Sequence, residues 1–194
     1  MSARAVSLAS LLLLFGCDAS KPSAALPSRV ESVAARKSDD SAADFCDVAP
    51  AAASAPTFAL PSVEGTPVEA RGARWINVWA TWCPPCIEEL PRLSSFVTEL
   101  ARGGGPVTLQ LLSVDATASA VDSFAAQHPE VRGTLRLSDV AALEPWLASL
   151  GLDKGATLPV HVFVAADGKV LCARTGAVRD SDLPAIKKLL TRSR

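Results

Sequence analysis

The chain has almost no charge bias. Its 19 basic and 20 acidic side chains leave a net charge of -1 over 194 residues. Nucleic-acid surfaces and sites for acidic substrates need a strongly biased field, so neither class is indicated. Histidine is scarce, with His128 and His161 the two in the chain, and Met1 is the single methionine. One Cys-x-x-Cys occurs, at Cys83 and Cys86, and no second pair accompanies it. That leaves a four-ligand zinc site without its other half. No apolar run approaches the roughly 20 residues that a bilayer-spanning helix requires. No internal repeat is visible, which sets solenoids and propellers aside.

Apolar residues make up 49% of the chain, enough for one ordinary domain with extensions at its ends. Arg4 precedes an uncharged apolar stretch, Ala5 to Phe15, of signal-peptide length. It ends in Leu14-Phe15-Gly16-Cys17, which resembles a bacterial lipobox. On that reading residues 1–16 are a lipoprotein signal peptide, and Cys17 is lipidated and anchors the chain to a membrane. The competing reading is a secretory signal followed by an incidental cysteine. Residues 17–54 are rich in Ala, Ser and Pro and poor in large apolar groups, the composition of a flexible tether. A flexible linker of about 37 residues has an r.m.s. span of roughly 35 Å.

A folded domain is expected over residues 55–194. Thr57 to Leu60 and Val68 to Ala70 flank Gly65-Thr66-Pro67, a pattern for an N-terminal β-hairpin. Trp75 to Ala80 reads as a buried central strand. Ile87, Leu90, Leu93, Val97 and Leu100 give the segment from Pro85 to Ala101 the apolar stripe of a helix, ended by Gly103-Gly104-Gly105. Further strands are expected at Val107 to Val114 and Thr134 to Leu137, and helices at Ala118 to Gln127 and Ala141 to Leu150. Asp167-Gly168 then joins Val160 to Ala165 with Lys169 to Arg174 as a hairpin, and a helix runs from Ser181 to Arg192. The order predicts an α/β fold with a central mixed sheet flanked by helices.

The chemistry-bearing motif is Trp82-Cys83-Pro84-Pro85-Cys86, set between a buried strand and an amphipathic helix. Thiol–disulfide exchange needs two sulfurs within bonding reach, one presented and one held back. A cysteine at a helix start is favoured as thiolate by the helix dipole and free N–H groups. Cys83 is therefore the candidate nucleophile and Cys86, one turn on, the resolving thiol. A zinc half-site and a purely structural disulfide are the alternatives. Trp82, Pro84 and Pro85 are the candidate substrate contacts. Neither proline has an N–H to offer Cys83, which makes its thiolate less stabilised and the pair a reductant.

Asn77-Val78-Trp79-Ala80-Thr81-Trp82-Cys83-Pro84-Pro85-Cys86, followed by Glu88-Glu89-Leu90-Pro91, resembles the TlpA/ResA-like branch of the thioredoxin superfamily. The resemblance spans about residues 55 to 192. It implies a thioredoxin fold and a periplasmic reductase of disulfide-bearing client proteins, of the cytochrome c maturation or copper-site assembly type. It also implies a membrane thiol transporter as electron donor, and no cofactor or nucleic acid. Pro91 matches the family's helix-kinking proline. Pro159, in Thr157-Leu158-Pro159, matches its cis-proline, and the resemblance implies a substrate contact beside it at Leu158; the competing reading is an ordinary strand-start proline. Glu89 matches an acid near the cysteines that moves the resolving thiol's proton, against the alternative of a solvated helix-face carboxylate. Asn77 stands where thioredoxins carry a buried Asp.

Cys46 and Cys172 remain, and in an oxidising compartment they suggest a structural disulfide. A buried Cys172 thiol with a free Cys46 is the other possibility. A Cu(I) chaperone of the same fold is the alternative function, with His161 as the nearby candidate ligand. A plain strand side chain is the simpler reading of His161.

Overall fold

The computed structural model describes residues 44–191. The signal segment, Cys17 and most of the expected tether lie outside the described residues. A six-stranded sheet has the order β1-β4-β3-β2-β5-β6. Its strands are β1 (Val63–Glu64), β2 (Ala73–Trp79), β3 (Val107–Ser113), β4 (Leu135–Leu137), β5 (Val160–Val164) and β6 (Val170–Thr175). The helices are α1 (Pro84–Gly104), α2 (Ala118–Ala125), α3 (Leu143–Ser149) and α4 (Leu183–Thr191). β3 lies parallel to β2 and to β4, while β5 is antiparallel to β2 and to β6. The expected mixed sheet is therefore present. Among the described residues no helix is long and apolar enough to cross a membrane.

β2 is central because its sequence, Ala-Arg-Trp-Ile-Asn-Val-Trp, can be covered on both faces; six of its seven residues are buried. The connections β2-α1-β3 and β3-α2-β4 step in one direction, so right-handed crossovers place both helices on one face. There α4 packs against α1. Trp75 bridges Phe163 and Phe96 in this layer, with ring centroids 5.0 and 6.4 Å away. α3 covers the other face, where Trp146 packs edge-on against Phe58 and donates its indole N–H to the Ala59 carbonyl at 2.9 Å.

α1 starts with two prolines, which suit a first turn whose N–H groups have no intrahelical partner. Pro91 lies inside it, where it withdraws one donor from the carbonyl four residues back. The helix runs through Gly104, three residues past the expected end. Gly72 has to be glycine: its φ is +76°, and a Cβ there would lie 2.3 Å from the Pro106 carbonyl oxygen.

Two expectations need correction. The N-terminal hairpin does not form. Thr57 makes a lone antiparallel bridge to Lys169, while Val63–Glu64 pairs with Arg136 and Leu137 at the opposite edge. Val68 to Ala70 is not a strand; the Val68 N–H donates to Gln110 Oε1 at 2.9 Å. An isolated two-stranded hairpin is marginal, and Pro67 lacks a donor, so the existing sheet edges capture this segment instead. The folded domain also begins before residue 55. Phe45 is buried against Phe163, with Arg174 over its ring, and Val48 pairs with Ala173. The Asp47 carboxylate accepts the Thr175 N–H and hydroxyl at 2.7 and 2.8 Å. A composition-based boundary cannot register one aromatic and one cysteine that find partners on β6.

Cys46 and Cys172 form a disulfide across a sequence separation of 126. Closing so long a loop removes unfolded-chain entropy worth at most about 4–5 kcal/mol. The Cys46→Ala/Cys172→Ala double variant is expected to unfold in urea with about 2–5 kcal/mol less stability. Stability within a few tenths of a kcal/mol of the parent would show that the strap contributes nothing.

Candidate active site

β2 ends at Trp79, and the chain turns through Ala80 to Trp82 before entering α1. The Cys83 N–H closes that turn on the Ala80 carbonyl at 3.1 Å. A carboxylate holds it from beside β3. Asp115, 2% exposed, accepts the Thr81 N–H at 3.0 Å, the Thr81 hydroxyl at 2.7 Å and the Ser113 hydroxyl at 2.7 Å. Sequence reasoning missed Asp115. Its signal was there, an acid just beyond an apolar strand and beside the motif.

Cys83 and Cys86 are joined as a disulfide with Cα atoms 5.3 Å apart, Cys83 at the N-cap of α1 and Cys86 in its first turn. Their exposures are 4% and 0%. The expected order holds, but Cys83 is far less presented than anticipated. Trp82, 65% exposed, stands beside it, and Pro84 and Pro85 are exposed next to it.

The Leu158–Pro159 peptide is cis. β5 starts immediately after it and runs antiparallel to β2, with Val160 opposite Val78 near the end of β2. The cis-proline and the cysteine motif therefore share one pole of the sheet. The Pro159 carbonyl accepts the Gly176 N–H at 2.8 Å, which ties this loop to the end of β6. Leu158 is half-buried and Thr157 exposed.

Behind the cysteines lies a buried polar cluster. Glu89 is 0% exposed, so it is not a solvated helix-face carboxylate. It follows Cys86 by three residues, and such positions are neighbours on a helix face. Its Oε1 accepts Asn77 Nδ2–H at 2.7 Å, and its Oε2 accepts the Val178 N–H at 2.8 Å. His161 Nε2 lies 3.3 Å from Oε2, without the alignment of a good hydrogen bond. Asn77 and His161 are direct cross-strand partners on β2 and β5, which puts both side chains on the sheet face that α1 covers. His161 is thus more than a plain strand side chain. Its Nδ1 accepts from Trp75 Nε1–H at 3.1 Å and faces Asn77 Nδ2 at 3.4 Å. Full burial and an Nδ1 already accepting from Trp75 do not favour His161 as a Cu(I) ligand. Among the described residues, no three His, Cys, Asp or Glu side chains are grouped to hold a metal ion.

The Redoxin family profile matches residues 50–190. The chain belongs to the Redoxin family. Its fold is thioredoxin-like, with the paired cysteines at the head of α1. It is 27% identical over 121 residues to a thiol-disulfide oxidoreductase ResA of Bacillus cereus, covering 60% of this chain and 65% of that one. The chain thus spans just under two thirds of that relative's length. The ResA of Bacillus thuringiensis (strain Al Hakam) is 26% identical over 141 residues, 71% of this Redoxin chain and 76% of its own. A crystal structure of a thioredoxin-related protein from Neisseria meningitidis serogroup B superposes with a TM-score of 0.50 at 28% identity, covering 63% of this chain and 86% of that one.

Proposed function

We propose that this chain is an envelope thiol–disulfide oxidoreductase that reduces disulfides of client proteins through Cys83 and Cys86. The observation that carries the reading is a vicinal pair able to close a disulfide at a helix N-terminus, at the same pole as a cis-proline loop. The described form is the oxidised one, the state that ends the client-reducing half of the cycle.

In the reductive half-cycle the Cys83 thiolate attacks a client disulfide. One client sulfur leaves, and a mixed disulfide forms on Cys83. Cys86 then attacks Cys83, the client leaves as a thiol, and the Cys83–Cys86 bond re-forms. Cys86 has no contact with water, so its proton needs an acceptor within the protein. Glu89, one turn further along α1, takes that role. The client chain lies against Trp82, Pro84, Pro85 and Leu158, and its backbone pairs beside Pro159. An anchor at Cys17 holds the domain near a membrane thiol transporter that returns two electrons to the pair. Clients of the cytochrome c maturation or copper-site assembly type fit the likeness to ResA. The Cu(I) chaperone reading finds less support, since His161 is fully buried and its Nδ1 accepts from Trp75.

Cys86→Ala is expected to stall the cycle and accumulate an oxidised test peptide as a mixed disulfide on Cys83, seen by mass spectrometry without reductant. Cys83→Ala should capture none; equal capture by both variants would contradict the assignment. Because Pro84 and Pro85 withhold N–H donors from Cys83, the potential should fall in the reducing half of the range from about -120 to about -270 mV. A glutathione titration giving a value above about -160 mV would contradict that.

A further inference from the structure

His161 is fully buried, and its two nitrogens face groups of opposite demand. Indole N–H is a donor without acceptor capacity, so the nitrogen that receives it carries a lone pair. Trp75 Nε1–H points at His161 Nδ1 at 3.1 Å, and Asn77 Nδ2 faces the same nitrogen at 3.4 Å. The ring proton is therefore on Nε2. That N–H has no well-aligned partner in the disulfide form, and the acceptor before it is Glu89 Oε2 at 3.3 Å. A buried N–H left unmatched is unfavourable, and hydrogen bonds in active sites are often long until the reacting state forms.

A carboxylate has about four lone-pair sites. On Glu89, Asn77 fills one on Oε1 and Val178 fills one on Oε2. A bond from His161 takes the second on Oε2. One site on Oε1 is then left.

We propose that His161 is a positioning residue for thiol–disulfide exchange: its Trp75-fixed Nε2–H occupies Glu89 Oε2 and reserves Oε1 for the proton of Cys86. This rests on the functional reading above. In the step concerned, the Cys86 proton passes to Oε1 and the Cys86 sulfur attacks Cys83. The Cys83–client S–S bond breaks as the Cys83–Cys86 bond forms, and the client thiolate leaves to take up a proton. His161 itself exchanges no proton, because Trp75 holds Nδ1 as an acceptor.

The charged and titratable groups around His161 are few. α1 supplies Glu89 and Cys86. Arg174 is its register partner on β6, with its guanidinium over Phe45 and 3.6 Å from Asp182. Beyond Val178, Arg92 donates to the Val178 carbonyl at 2.9 Å and to Asp180 at 2.9 Å, which fixes the segment that carries the Val178 N–H.

Two measurements test the proposal. In the first, ¹⁵N NMR of the full chain in a His128→Gln background, which leaves one imidazole, reads the tautomer. The Nε2–H form is expected, and an Nδ1–H ring overturns the proposal whatever the variants do. In the second, resolution of a peptide mixed disulfide is followed across pH by rapid quench. His161→Leu should slow it about tenfold and change its pH profile, the loss expected for one hydrogen bond to a charged group. His161→Gln, which keeps an N–H at that reach, should restore most of the rate. Leu and Gln variants with equal rates and an unaltered pH profile overturn the proposal. If His161→Leu does not fold, the tautomer and the Gln variant, with its pH profile as in the parent, still decide. A parent protein that never cycles between dithiol and disulfide overturns the functional reading and this inference with it. A cycling parent insensitive to position 161 overturns the inference alone.

Discussion

A carboxylate out of reach of water must be partnered on several sides, or the chain around it is destabilised. Glu89 meets that demand with donors from two other parts of the fold, Asn77 on β2 and the Val178 backbone beyond β6, while His161 Nε2 on β5 stands 3.3 Å away. Each donor left unmatched in the buried interior would be unfavourable by about 1–3 kcal/mol, so the cluster fixes how α1 seats on the sheet. Seating α1 in turn sets where Cys83 and Cys86 stand relative to the Leu158–Pro159 loop. The same constraint that orders the helix seats the buried Glu89 one turn beyond the buried Cys86.

Much of this was legible in the sequence, for physical reasons that differ by element. The long apolar runs of β2, β3 and β5 and the 3.6-residue stripe of α1 announce themselves because burial writes a periodicity. Cys83 and Cys86 stand out because their spacing at a strand–helix junction is the chemistry itself. The cis peptide at Pro159 came through the family resemblance, since a proline's isomer leaves no mark in composition. The hairpin around Gly65 was misread because strand pairing is settled by whichever edge is open, which local pattern does not encode. Glu89 and His161 could not be joined from sequence, since they are 72 positions apart and meet through the register of β5 on β2 and the crossover that sets α1 over them. Asn77 is the clearest case: it stands where thioredoxins carry a buried Asp, and only the structure shows its amide donating to Glu89.

The two disulfides divide the work. Cys46–Cys172 pins the start of the domain to β6, where Cys172 is fully buried beneath the Phe45 strap. Asp47 in that strap holds Thr175, and the neighbouring Gly176 donates to the Pro159 carbonyl, so the staple reaches toward the site through two contacts. Cys83–Cys86 instead sits at a helix end among exposed Trp82, Pro84 and Pro85, and the small exposure the two residues retain belongs to Cys83. A long-loop bridge that ties a segment to the sheet and a short-loop bridge at a helix start suit permanence and turnover respectively.

The account stands on a buried carboxylate serving the resolving sulfur. The direct test is single-turnover exchange between the reduced protein and an oxidised peptide, quenched in acid and read by mass spectrometry, with Glu89→Gln beside the parent. The expected result is an unchanged first attack by Cys83 with a mixed disulfide that persists about a hundredfold longer in the variant, the scale of one general acid–base contribution. A Glu89→Gln protein that resolves the mixed disulfide at the parent's rate would contradict it.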